Sequence, residues 1–379
     1  MIFETLLEDR AAKRIFSVLP ESYFVGGCVR DVLMGQKIED IDLCTKTYPQ
    51  QAMECLQEAN IKVLPTGIKH GTLTAVLEGR RIQITTLRKD VVNDGRHAKV
   101  VFTDNIKADA LRRDLTINAL YLSPDGQLFD PCGKGIEDAR SGCVRFIGDA
   151  GTRIQEDYLR LLRYYRFFSR FSKIPPDTQT LFVTQKLAFG LSRLSGERLH
   201  DELFRLFCTP RAPWAIALMQ EKGIMRAFWR GSDVAIDHIT WLYKHNSDLV
   251  PELVLRVWIG EGRELEAIAK RFALSRQSTH RLTRALPKLE ADLRKTAYLY
   301  GQEETSDAAW LARDKAAAMQ VAALTLPLFP LSGQDLLNQG FSRGPKLGAL
   351  LRTLETLWIN EGFKGDKKDW LYRACEMQN

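Results

Sequence analysis

The stretch that most constrains this chain is Phe24 to Thr45, FVGGCVRDVLMGQKIEDIDLCT. Gly26-Gly27 carries no Cβ, so its backbone can approach a bulky anion closely. Arg30-Asp31 follows on a predicted helix start, where free N–H groups and the helix dipole favour phosphate. Asp40-Ile41-Asp42 alternates acid, apolar, acid. In a strand this aims both carboxylates at one face and Ile41 and Leu43 at the other. A Gly-Gly turn or an Asp-x-Asp strand recurs freely when alone. Their succession within about twenty residues points to a phosphate cradle beside paired oxygen ligands, a pattern suited to nucleotide chemistry with Mg²⁺.

The rest of the first third predicts a small sheet domain. Residues 3–18 read as a helix, Tyr23–Val25 as a strand, 26–35 as turn and helix, and 38–44 as the acidic strand. Pro49–Ala59 is an amphipathic helix. Thr72–Leu77 and Ile82–Leu87 alternate around Glu78-Gly79-Arg80, a hairpin signal. Residues 88–105 are polar with an Asp94-Gly95 turn, and read as a flexible loop before Val100-Val101-Phe102. Ala108–Leu120 is expected as a helix carrying Arg112, Arg113, Asp114 and Asn118.

From about Gly148 strand alternation gives way to helical periodicity. The predicted architecture is α+β: a sheet domain over residues 1–147, a helical neck over 148–208, and a helical body and tail over 209–379. Helices are expected at Pro213–Glu221, Leu249–Gly260, Glu264–Arg271, Ser278–Leu286 and Leu347–Asn360, with a short one opened by Pro287 and a cap at Ser332. At 379 residues the chain exceeds one compact core. With 45% hydrophobic and 27% charged residues, wholesale disorder is excluded. A net charge of +7 leans toward an anionic partner. The seven cysteines are scattered without C-x-x-C spacing, so neither a disulfide framework nor a zinc site is indicated, and a reducing compartment fits. The start MIFETLLEDR has no basic n-region, and no run reaches the ~18–20 apolar residues of a membrane span. The expectation is a cytoplasmic protein.

The second constellation is Arg153–Phe171, RIQEDYLRLLRYYRFFSRF. Asp157 and Arg160 are three apart and are expected on one helix face, with Arg163, Arg166 and Arg170 continuing a basic stripe. Leu161, Leu162, Tyr165 and Phe168 form the core side. Cytosine and adenine each present an amino donor beside a ring-nitrogen acceptor, whereas guanine and uracil present a carbonyl beside a ring N–H. An Asp accepting from the amine and an Arg donating to the ring nitrogen would admit C and A and reject G and U.

In this order and spacing, GGCVRDVLMG, DIDLCT, RRDLTINAL and RIQEDYLRLLRYYRF resemble the class II, bacterial-type tRNA nucleotidyltransferases that add CCA. These belong to the polymerase-beta-like superfamily, which also includes bacterial poly(A) polymerases. The resemblance is close over about residues 20–210. It implies catalytic metal, Mg²⁺, on Asp40 and Asp42, and triphosphate contacts from Gly26, Gly27 and Arg30. It further implies nucleotide binding by Arg113 and Asp114, with Asp114 on the ribose, and base selection by Asp157 and Arg160 with Arg163 and Arg166 in support. The loop at Asp94–His97 would take part in switching from C to A. The partners implied are CTP, ATP and tRNA, the last held through phosphates and shape, so that binding weakens with salt. One position departs from the pattern: Gln83 stands where the family usually has a Glu as a third acid. A poly(A)-adding relative, a partial CC- or A-adding enzyme and a non-catalytic RNA-binding protein share this scaffold. GIKHGTL resembles the CCA type, and the retained acid pair disfavours mere binding.

Overall fold

A computed structural model describes residues 2–91, 99–229, 234–260 and 262–377. By contacts the chain divides into two compact units, one of residues 1–236 and 266–275, the other of 237–265 and 276–379.

The first unit opens with α1 (Glu4–Leu7) and α2 (Arg10–Val18), not one helix, because the Asp9 carboxylate accepts the Ala12 N–H and caps a new start. β1 (Ser22–Val25), α3 (Gly27–Leu33), β2 (Asp42–Thr45), α4 (Pro49–Glu58), β3 (Lys62–Gly67), β4 (Thr72–Leu77) and β5 (Arg80–Thr86) follow. With β6 (Arg88–Val91), β7 (Lys99–Phe102), α5 (Ile106–Leu111), β8 (Tyr121–Leu122), β9 (Leu128–Phe129) and α6 (Gly135–Ser141) they complete an α+β fold. Seven strands form one sheet in the order β3-β4-β5-β2-β1-β8-β9. Only β2 and β5 run parallel; every other pairing in it is antiparallel. The acidic strand is shorter than expected. It begins at Asp42, leaving Asp40 exposed ahead of it, while Ile41 and Leu43 are buried as alternation requires.

The β4–β5 hairpin has a two-residue loop, Leu77 pairing with Arg80, and both Glu78 (φ 51°) and Gly79 (φ 75°) are left-handed. That is the type I′ geometry that matches strand twist. The expected loop after it is instead a two-stranded arm, β6 paired antiparallel with β7 from Arg88↔Phe102 to Val91↔Lys99. Asp94, Gly95, Arg96 and His97 lie outside the described residues. Phe102 anchors the arm, packing edge-on to Tyr48 and against the bare face of Gly71, where a Cβ would lie 2.6 Å from its ring.

Helices then take over: α7 (Ala150–Glu156), α8 (Leu159–Phe171), α9 (Thr178–Leu187), α10 (Gly196–Phe207) and α11 (Ala212–Glu221). Leu161, Leu162, Tyr165 and Phe168 of α8 are buried, as the periodicity predicts. The second unit is helical as well, with a core around Leu331, Leu336, Leu354, Trp358 and Trp370. Ser332 and Asp335 there form a reciprocal capping box. Pro287 does not open a helix; the next begins at Leu293, capped by Asp292. Four tryptophans, Trp258, Trp310, Trp358 and Trp370, are buried, and Trp214 stacks on Phe168 at 4.7 Å.

Glu78 occupies a left-handed position that asparagine tolerates better. Glu78→Asn should therefore stabilise the hairpin by about 0.5–1 kcal/mol. Urea denaturation of the full chain measures it; an unchanged or lowered midpoint contradicts the turn assignment.

Candidate active site

β1 delivers the chain to Gly26, whose φ of 69° and ψ of −117° only glycine adopts readily. Its N–H bonds to Leu120 O at 2.9 Å, so the turn is pinned to the sheet. A Cβ there would sit 3.5 Å from the Arg113 guanidinium. This turn forms one wall of a cleft of about 330 Å³, which Gly27, Arg30, Asp42 and Gln83 also line. The same cleft has a cationic lining from Arg88, Arg112, Arg113 and Arg163, together with Asn118 and Phe167.

Parallel pairing puts Asp42 directly beside Gln83. Burial raises the Asp42 pKa, the neighbouring Asp40 charge raises it further, and Arg113 opposes both. Two carboxylates that repel one another suit a bound cation, which would relieve that repulsion. Among the described residues no group of three or more His, Cys, Asp or Glu side chains could hold a metal ion. The acid pair Asp40 and Asp42, with Gln83 beside Asp42 on the next strand, is what this end of the cleft offers a cation.

Arg30 is only 6% exposed. Nε and Nη2 donate to Asp31 Oδ1 at 2.9 and 2.7 Å, and Nη1 donates to Asn118 Oδ1 at 2.6 Å. Its guanidinium lies over Phe171 at 4.4 Å and Phe167 at 5.1 Å. Three donor bonds are thus spent on the protein, so Arg30 shapes the cleft wall and keeps few donors for a ligand.

The expected helix over 108–120 stops at Leu111. Arg112, Arg113 and Asp114 occupy the turn after it, and Thr116–Asn118 is a single 3₁₀ turn. Side-chain bonding competes with the helix here. Asp114 Oδ1 accepts from Leu115 N at 2.8 Å and Asn118 Nδ2 at 3.1 Å, while Oδ2 accepts from Arg163 Nε at 2.6 Å. Burial pushes the Asp114 carboxyl up, but Arg163 and these donors hold it below the ordinary value. One turn earlier Asp109 is fully buried and takes both Arg112 and Arg113. Burial would raise it too, yet the two guanidiniums pull it down to about 2.

The stripe on α8 differs from expectation. Asp157 is not on a helix face with Arg160. It terminates α7 in an extended conformation (φ −155°), accepting from Leu159 N at 3.1 Å and Arg198 Nη2 at 2.7 Å. Arg160 instead binds Glu156 at 2.5 Å, Arg153 O at 3.2 Å and Arg112 O at 2.9 Å. An aspartate offers the backbone a local hydrogen bond, and here that breaks the helix between α7 and α8. Nor is the stripe solvated. Arg166 is 8% exposed and donates to Glu202 Oε2 at 2.6 Å, and Arg163 reaches Glu202 Oε1 at 3.5 Å. Burial lowers the Arg166 pKa. The Phe167 ring lies beneath Arg30, Arg163 and Arg166 at 5.1, 5.3 and 4.3 Å.

Gly26, Gly27, Arg30, Asp42, Arg113 and Arg163 therefore line one cleft. Asp40 stands next to it, Asp114 and Arg166 hold its wall from behind, and Asp157 and Arg160 are engaged elsewhere. Asn118, Phe167, Arg88, Arg112, Asp109 and Glu202 were not singled out as site residues. A buried acid on a helix facing arginines is the signal that could have found Asp109 and Glu202.

A family model described as "Poly A polymerase head domain" matches residues 22–145, and "Probable RNA and SrmB- binding site of polymerase A" matches 173–234. The chain is 33% identical over 373 residues to CCA tRNA nucleotidyltransferase 1, mitochondrial, of Danio rerio, spanning 93% of this chain and 86% of that one. The chain belongs to the CCA tRNA nucleotidyltransferase family. The human relative of the same name is 34% identical with the same coverage. The fold matches that of the Bacillus stearothermophilus CCA-adding enzyme in complex with CTP, with a TM-score of 0.73 at 24% identity over 100% of this chain and 98% of that one. It also matches the Thermotoga maritima CCA-adding enzyme complexed with tRNA_CCA, with a TM-score of 0.70 at 21% identity and the same coverage. Among the described residues no helix is long and apolar enough to cross a membrane.

Glu202 pairs with the buried Arg166. Glu202→Ala removes that partner, while Arg163 keeps Asp114, and should cost about 3–5 kcal/mol, read from the urea midpoint; a loss under about 1 kcal/mol would place Arg166 in solvent.

Proposed function

We propose that this protein restores the 3′ CCA of tRNA by template-independent nucleotidyl transfer from CTP and ATP, with release of pyrophosphate. The observation that carries the reading is the cleft itself, in which a side-chain-free turn, an acidic strand end and an arginine wall converge. The family membership agrees with it.

In this reading Asp40 and Asp42 hold Mg²⁺, which when bound would activate the terminal hydroxyl and neutralise charge on the triphosphate. Gly26 and Gly27 admit the phosphates to the backbone. Arg113 and Arg163 supply fixed positive charge against the transferring phosphoryl group, stabilisation that needs no reorganisation during reaction. Arg30 braces the turn through Asn118, and Arg166 braces Arg163 through their shared Glu202. Asp114 orients Arg163 and lies near enough to the wall to approach a ribose.

Asp157 and Arg160 are the base-reading pair. To read cytosine or adenine they must exchange Arg198 and Glu156 for the base edge, and those charge-assisted bonds set the cost of binding a wrong base. Residues 1–147 form the catalytic head, 148–208 the nucleotide-selecting neck, and 209–379 the tRNA-holding body and tail. No disulfide joins the seven cysteines, all of them among the described residues, which fits a reducing compartment such as the cytoplasm.

Incubating tRNAs that lack CCA, CA or A with each nucleotide separately should give additions of the missing residues only, from CTP and then ATP. Long A tracts, or addition of C alone, would assign a different product. Asp42→Ala should abolish addition while tRNA binding survives; extension at the wild-type rate would refute the metal-ligand assignment. Gln83 faces Asp42 without charge. Gln83→Glu should therefore shift the Mg²⁺ and Mn²⁺ activation curves, and superimposable curves would show that the amide is immaterial.

A further inference from the structure

The cleft's cationic wall depends on one side chain that does not line it. Asp109, on the last turn of α5, has no exposed surface. Its Oδ1 accepts from Arg112 Nε at 2.8 Å and Nη2 at 2.7 Å, and from the Arg88 backbone N–H at 3.2 Å. Its Oδ2 accepts from Arg113 Nη2 at 2.9 Å and Nε at 3.1 Å, and from the Tyr121 hydroxyl at 2.7 Å. A carboxylate offers about four lone-pair sites; this one is saturated. Each arginine is gripped along its Nε–Nη2 edge, which fixes the guanidinium plane.

The grip decides what each arginine offers the cleft. In Arg113 the Nη1 group remains, 3.4 Å from Asn118 O and against the bare face of Gly26. In Arg112 the main-chain carbonyl is tied to Arg160 and the side chain to Asp109, so the residue is clamped at both ends. The Arg88 bond fixes the root of the β6–β7 arm to the same acid. Arg88, Arg112 and Arg113 all line the cleft, and Asp109 bonds to each of them.

We propose that Asp109 is a positioning residue for nucleotide binding, holding Arg112, Arg113 and the main chain at Arg88 in the geometry that receives the part common to CTP and ATP. The proposal rests on the nucleotidyl-transfer reading above. Asparagine at this position keeps the shape but replaces one acceptor by a donor. Its NH₂ would face a guanidinium, and one arginine would swing out of register. The arginines act on the shared sugar-phosphate portion, so CTP and ATP should suffer alike and the choice between C and A should be unchanged.

The test uses the full chain. Steady-state kinetics are measured with CTP on tRNA lacking CCA and with ATP on tRNA lacking the final A, and far-UV circular dichroism and thermal melts check the fold. Asp109→Asn should raise KM for both nucleotides by about tenfold while kcat falls less than about threefold. Tyr121→Phe removes a single bond to the same oxygen and should raise both KM values by about two- to threefold; it carries the test if Asp109→Asn does not fold. Unchanged KM values in the folded variants overturn the proposal, as does a kcat loss that merely tracks the folded fraction. A wild-type protein that extends no tRNA overturns the functional reading instead, so the two failures are separable.

Discussion

Guanidinium groups largely withdrawn from water, each balanced by a buried acid or amide, set the geometry of the cleft on which the rest depends. Asp109 serves Arg112 and Arg113, Asp114 and Glu202 serve Arg163, Glu202 serves Arg166, and Asp31 and Asn118 serve Arg30. Such pairs contribute little net stability, because desolvation offsets most of the attraction. What they provide is placement. An arginine with two or three bonds spent on the protein has a fixed plane, and the remaining edge meets a ligand without first losing the freedom of a long side chain. Phe167 completes the arrangement, giving three arginines one common ring to lie against.

The chain elements read most easily from sequence are those in which local chemistry and tertiary structure agree. Gly26 had to be glycine, Ile41 and Leu43 had to be buried, and the Glu78-Gly79 turn had to close a hairpin. Elements that deviated were decided by side chains binding nearby backbone. Asp9 restarts a helix, Asp114 caps the turn that ends the RRD segment, and Asp157 separates α7 from α8. Helical spacing ran straight through all three in the sequence, because periodicity records which face is apolar and not where a carboxylate captures an N–H. The partners of the arginines were illegible for another reason. Glu202 lies 39 residues from Arg163, and Asn118 lies 88 from Arg30, so no local pattern joins them.

Membership of the CCA tRNA nucleotidyltransferase family fits this division. The short motifs supply groups that line the cleft, and neighbouring helices supply acids that face the motifs. Gln83 occupies the strand position beside Asp42 with an amide. Asp40 and Asp42 sit at a strand end, where burial and then the neighbouring Asp40 charge raise Asp42.

The parallel contact between β2 and β5 has a consequence that reaches beyond the sheet. Which residue stands beside Asp42 is decided by how β5 is indexed, and β5 is indexed by the tight turn that joins it to β4. A slip of one residue would exchange Gln83 for Ile82 or Ile84, both now in the core, and turn the polar floor of the cleft to oil. The polarity of the cleft is thus metered by a two-residue bend at the far end of the hairpin, outside the residues that line it.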